Sequence, residues 1–175
     1  VDGYGAGDDL DAASVIELAH FHREAGAIDK SQSAAAALLK RGSLSDEQRY
    51  GAALLAVGRA GLSPHHWRGS IDADDARRSA QRLNAAVDAS PTPRLKLNAL
   101  ARLIRLIGID RADLERAKQL YEQAEAVFRA SNRDALSQAA LRRATVAMGD
   151  AHLAAGEVES AGENYRTAEA LASPV

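Results

Sequence analysis

Three arginines, Arg94, Arg102 and Arg105, share one arc of a helical wheel that starts at Arg94, in a window from Ala89 to Ile109 that contains no acidic residue. A guanidinium fork pairs with carboxylate or phosphate through two parallel hydrogen bonds. The stripe therefore predicts an acidic peptide or an acidic partner surface, unless carboxylates from neighbouring segments neutralise it. Nucleic acid is not expected, because one stripe without interleaved aromatics gives neither strong counterion release nor base stacking.

Other residue types that could do chemistry resolve into simpler roles. His20 and His22 stand two apart, which on a helix points them about 200° from each other, so they do not share a metal. Asp72, Asp74 and Asp75 lack the glycine and the distant bidentate glutamate of a calcium loop; negative charge at a helix start suits the dipole instead. The glycines around Tyr4 are not followed by the lysine and hydroxyl residue of a phosphate loop. Serines and histidines occur in no arrangement that makes a nucleophile, and there is no cysteine. No catalytic residue, cofactor or metal is expected. Trp67, the single tryptophan, follows His65 and His66 in the longest connection of the chain. It is either an interface anchor or a plug that folds back between helices.

The elements that must position these side chains are helices. Alanine dominates the 175 residues, leucine follows, and aromatics reach only 4%. Small and aliphatic side chains favour closely packed helices over pleated sheets. Four pairs of helical patterns follow a glycine-rich entry at Val1 to Asp9: Leu10–Ala25 with Asp29–Arg41; Ser45–Ala60 with a helix from Asp72 to the Pro91–Thr92–Pro93 stop; Arg94–Ile107 with Arg111–Ser131; and Asp134–Ala155 with Val158–Ala172. Gly26, Gly42, Gly61, Gly108 and Gly156 mark the breaks, the first two suited to the left-handed closing position. Ser45 and Gln48 form a capping box, and Asp110 is the expected N-cap of the sixth helix. Short connections force antiparallel neighbours, so the chain reads as a row of helical hairpins. In the fifth helix Leu97, Leu100, Leu103, Ile104 and Ile107 fill one arc and Leu95 and Leu106 a second. A helix apolar on two sides is an internal one, with its arginine edge left to water.

Glu115, Ala117, Tyr121, Ala124, Glu125 and Ala126 recur 44 residues later as Glu159, Ala161, Tyr165, Ala168, Glu169 and Ala170. Such an echo marks a supersecondary unit that buries its apolar face only by stacking on a copy. In the last unit Met148, Gly149, Gly156, Ala161, Tyr165 and Ala168 fit the small-residue and aromatic-wedge positions of the tetratricopeptide repeat family, with Pro174 one residue from the family's closing proline. The chain resembles that family over Arg142 to Pro174 and in part over Asn98 to Ala130, where Arg105 stands in place of a small residue. The 44-residue spacing exceeds the family's 34.

The resemblance implies an all-α fold, a right-handed superhelical stack of about four antiparallel hairpins and eight helices, spanning residues 10–175 as one domain. It also implies a concave groove lined by the first helix of each hairpin, with Arg143, Val146, Asp150 and Leu153 of unit four and Ala99 and Arg102 of unit three as groove positions. The asparagines of the family's carboxylate-clamping members are missing. The leading expectation is a non-enzymatic scaffold that binds a protein or peptide. The alternatives are a regulatory or substrate-recruiting domain of a larger enzyme or sensor, and an oligomerisation module that self-associates through its C-terminal helix at Leu171 to Val175. A net charge of -2 singles out no partner class, and no run is long and apolar enough for a membrane helix. The chain reads as an excerpt of a longer protein, since no polar capping helix closes it. Alanine abundance with arginine far above lysine points to a GC-rich bacterial genome.

Overall fold

The computed structural model describes residues 10–57 and 73–172. The glycine-rich entry, the His65–His66–Trp67 segment, Gly61, Asp72 and Pro174 lie outside the described residues. Eight α-helices follow in chain order, with no strand among the described residues: α1 (Ala12–Glu24), α2 (Ile28–Leu38), α3 (Asp46–Leu55), α4 (Ala73–Ala89), α5 (Pro93–Arg105), α6 (Leu114–Ala130), α7 (Ala135–Ala155) and α8 (Val158–Ala170).

Local chemistry accounts for most of the boundaries. Asp11, Thr92, Asp113 and Asp134 each accept a hydrogen bond from a backbone N–H in the first turn of the helix they precede, satisfying a donor that the helix itself leaves open. Ser45 and Gln48 form the reciprocal capping box of α3. Gly26 and Gly156 take φ of 75° and 86°, and in both turns a 6→1 bond closes the helix: Ala27 N–H donates to the His22 carbonyl at 2.8 Å and Glu157 N–H to that of His152 at 2.9 Å. Gly42 was expected to do the same but is not left-handed; α2 instead ends in a tighter turn in which Arg41 N–H donates to the Leu38 carbonyl. Two non-glycine residues, Ala112 and Arg133, occupy the left-handed region at φ 53° on either side of α6.

The junction between α5 and α6 departs most from expectation. The helix does not stop at Gly108 but widens into a π-helical turn, Leu106–Asp110, in which Arg111 N–H reaches back to the Leu106 carbonyl at 3.1 Å. The extra turn carries the chain past Asp110, so Asp113 becomes the N-cap of α6, accepting from Arg116 N–H at 3.0 Å. Gly108 sits in this turn against α6 and α7. A Cβ there would lie 2.3 Å from Ala151 Cβ and 3.3 Å from Ala117 Cβ. The three helices meet because all three residues are small.

Consecutive helices pack as hairpins, and each hairpin touches the next. The first helices pack side by side, α1 against α3 and α5 against α7, while α2, α4 and α6 each pack on the first helix of the following hairpin. One large apolar cluster runs from α3 to α7, centred on Leu97, Leu100, Leu103 and Ile104 of α5, all buried. Burying each such side chain contributes about 1.5–3 kcal/mol. Leu106 is buried too, and α5 touches α4, α6 and α7, so the helix is internal as its wheel requires. Smaller clusters join α1, α2 and the end of α3 through Ala19, Ala35, Leu55 and Ala56.

Arginines brace the helix ends, within and between hairpins, by binding main chain. Arg23 Nη2 donates to the carbonyls of Leu55 at 2.6 Å and Val57 at 2.8 Å, and Arg82 Nη1 donates to the Ala56 carbonyl between them. These are the open acceptors at the C-terminal end of α3. Arg41 Nη1 likewise holds the Leu10 carbonyl at 2.6 Å.

Candidate functional site

The series of first helices is the surface on which the arginines converge. Tyr50 of α3 donates its hydroxyl to the Leu95 carbonyl of α5 at 3.3 Å, linking the α1–α3 pair to the α5–α7 pair. Arg94 and Arg102 are exposed on α5. Arg143, exposed on α7, donates through Nη1 to Asn98 Oδ1 at 2.9 Å. Neither Arg102 nor Arg143 forms an ion pair with a described residue.

Arg105 is different. It is partly buried, and Nη2 lies 3.1 Å from Asp150 Oδ2 of α7. Tyr165 of α8 donates its hydroxyl to the other oxygen of the same carboxylate at 2.9 Å. Burial and this hydrogen bond push the Tyr165 pKa up to about 12. The stripe expected to face water is therefore split: Arg94 and Arg102 face it, while Arg105 and Asp150 neutralise each other and fasten α5, α7 and α8 together.

The 44-residue echo acquires a specific meaning here. The Tyr165 ring lies flat against Gly149, where a Cβ would come within 2.7 Å of Cε1. Its counterpart Tyr121 meets the same helix one turn earlier, with its hydroxyl 3.1 Å from Thr145 Oγ1. Thr145 gives its own proton to the Leu141 carbonyl, so Tyr121 is the donor in that pair. Both repeated tyrosines thus end on α7, one from the preceding second helix and one from its own. Burial raises the pKa of Tyr50 and Tyr121 as well.

The remaining expected positions are scattered. Val146 is half-buried and Leu153 is 52% exposed. Ala99, expected to line the groove, is fully buried in the central cluster. Trp67 lies outside the described residues. Arg94 stands beside a groove of about 360 Å³ between the starts of α5 and α7, with Thr92, Ser131 and Asp134 on its walls. The Asp134 carboxyl is held below the usual carboxylate range, chiefly by the Ser137 N–H it accepts and also by the nearby Arg94 charge.

Sequence reasoning missed three participants. Arg23, near the end of α1, is part-buried, and its Nε–H is buried with no partner. Burial lowers its pKa, and Arg102 lowers it further. Tyr50 senses Arg102 and Arg94, and Asn98 holds Arg143. Asn98 sits four residues before Arg102 on the same helix, which places it on the arginine side; nothing local betrays Arg23, whose neighbours come from other hairpins. His152, buried in the last turn of α7, places Nδ1 2.7 Å from Glu157 Oε2. No group of three metal-ligating side chains occurs among the described residues. None of their helices is long and apolar enough to cross a membrane. No protein-family model, curated protein or solved structure matches the chain.

Proposed function

We propose that this chain is a non-enzymatic interaction module, a tetratricopeptide-like stack of hairpins that takes a protein or peptide along the face formed by its first helices. The observation that carries the reading is the lateral series of α1, α3, α5 and α7, joined by helix packing and by the Tyr50 hydroxyl on Leu95, with Arg102 and Arg143 exposed on it and unpaired by described carboxylates. In stacked hairpins each unit contacts only its neighbours, which produces an extended face whose selectivity rests on a few side chains. The second helices present a different surface: α6 carries paired charges, Lys118 with Glu115 and Arg129 with Glu125.

A photo-crosslinking residue placed at Leu153 on α7 tests the assignment against one placed at Glu122 on α6. Both sites are exposed, so neither replacement disturbs the core. Capture of one partner from Leu153 and not from Glu122 is the expected result. Capture from Glu122 alone removes the first-helix face as the binding surface.

A further inference from the structure

Resting on that reading, we infer that the partner segment is acidic, with carboxylates seated on Arg102 and Arg143 and drawn by the excess positive charge of α5. The neutralised and the open charges on this face are separate sets. Asp150 is committed to Arg105 at 3.1 Å and to Tyr165 at 2.9 Å. Asp134 caps α7 through Ser137 N–H at 2.7 Å and lies near Arg94. No described carboxylate lies within ion-pair distance of Arg102 or Arg143.

The surroundings add further positive charge. Arg23, with its Nε–H unpartnered, is close enough to Arg102 to feel its charge. Tyr50, whose hydroxyl reaches the Leu95 carbonyl, lies close enough to Arg102 and Arg94 to feel both charges. Asn98 fixes the Arg143 guanidinium through one Nη at 2.9 Å, which leaves the other donors of the fork pre-oriented for an incoming anion. The apolar component is modest: Leu153 is exposed and Val146 half-buried. Charge, more than apolar area, is what this face offers.

The probes are a fluorescein-labelled glutamate-rich dodecapeptide and its glutamine-for-glutamate twin, titrated by fluorescence anisotropy. The acidic peptide is expected to bind at least about ten-fold tighter than the twin at low salt and to weaken steeply as salt rises, as exposed charge pairing requires. Arg102→Glu with Arg143→Glu should lower that affinity by about ten-fold or more, since two charge-assisted contacts turn into repulsions. Arg116→Glu with Arg129→Glu makes the same change in net charge on the exposed surface of α6 and should leave affinity within about two-fold if the effect is local and not a bulk field. Circular dichroism confirms that each variant keeps its helicity.

Equal binding of the two peptides overturns the acidic assignment, as does binding that both double variants weaken alike. Tighter binding of a single-stranded oligonucleotide than of the acidic peptide overturns it in favour of nucleic acid. These failures leave the interaction reading in place, because a neutral partner still crosslinks from Leu153; only crosslinking confined to Glu122 removes both.

Discussion

Adding one methyl group at Gly108 should destabilise the whole stack. The new Cβ would stand 2.3 Å from Ala151 Cβ and 3.3 Å from Ala117 Cβ, whereas carbon atoms rest about 3.5–4.0 Å apart. Helix α7 must therefore retreat from α5 by roughly 1 Å, and the atom that obstructs it is a Cβ fixed to backbone, not the far end of a flexible side chain. Overpacking of this kind costs about 1–3 kcal/mol, and more when backbones must move. Replacing glycine by alanine in a helix otherwise gains up to about 1 kcal/mol. The net loss for Gly108→Ala is about 2 kcal/mol, which for a chain of this size lowers Tm by about 4–8 °C. Urea unfolding followed by far-ultraviolet circular dichroism measures it. The reciprocal change Ala151→Gly costs about 1 kcal/mol alone through helix propensity, yet in the double variant it removes the obstructing methyl. The two changes should therefore be less costly together than in sum, by about 1 kcal/mol or more. A Gly108→Ala protein as stable as the parent, or a strictly additive cycle, refutes the close-approach argument.

Three further outcomes follow from other details. Ala112→Gly and Arg133→Gly relieve left-handed backbone at φ 53° and should each raise stability by about 1 kcal/mol, read as a shift of the urea midpoint; no shift means the turns are unstrained. Asp150→Asn removes the charge that the Tyr165 hydroxyl faces, so ultraviolet titration should show one phenol moving down from about 12 while Tyr50 and Tyr121 stay in place. Because the folded pKa of Tyr165 lies above its unfolded value, the parent should lose stability as pH rises past the ordinary tyrosine range, and Asp150→Asn should lose less over that interval. Asp11 and Asp134 cap α1 and α7 with carboxyls whose pKa is lowered, first by the backbone N–H groups of Ser14 and Ser137. Their contribution is complete above the ordinary aspartate range and fades as pH falls through and below it. Melts of the Asp11→Asn, Asp134→Asn protein should therefore converge on the parent at low pH, and a gap that persists there counts against the charge.

Helices and their contact faces were legible because they depend on local pattern: the Ser45–Gln48 box, the Gly26 and Gly156 closures, and the two apolar arcs of α5 all match the structure. The α6 cap was misplaced because a π-helical turn is decided by what packs beside it. Gly108 reads as a helix stop, yet its missing side chain lets α7 close in and the helix run on to Asp110. At the candidate site the exposed pair Arg102 and Arg143 followed from periodicity and from the repeat resemblance. The capture of Arg105 by Asp150 spans 45 residues, and the approach of Arg23 to the end of α3 spans 32. No spacing rule encodes such pairings, since they depend on how hairpins register against each other. Burial of Ala99 in the central cluster is likewise a tertiary outcome that no local spacing encodes.

Arg23 and Arg82 grip three consecutive carbonyls, Leu55 to Val57, where the chain leaves α3 for the longest connection. A guanidinium that recognises main chain is indifferent to which side chains those positions carry, and the exit is pinned before the connection begins. Because one guanidinium comes from α1 and the other from α4, the end of α3 is held from two helices at once, and freeing it requires the loss of both.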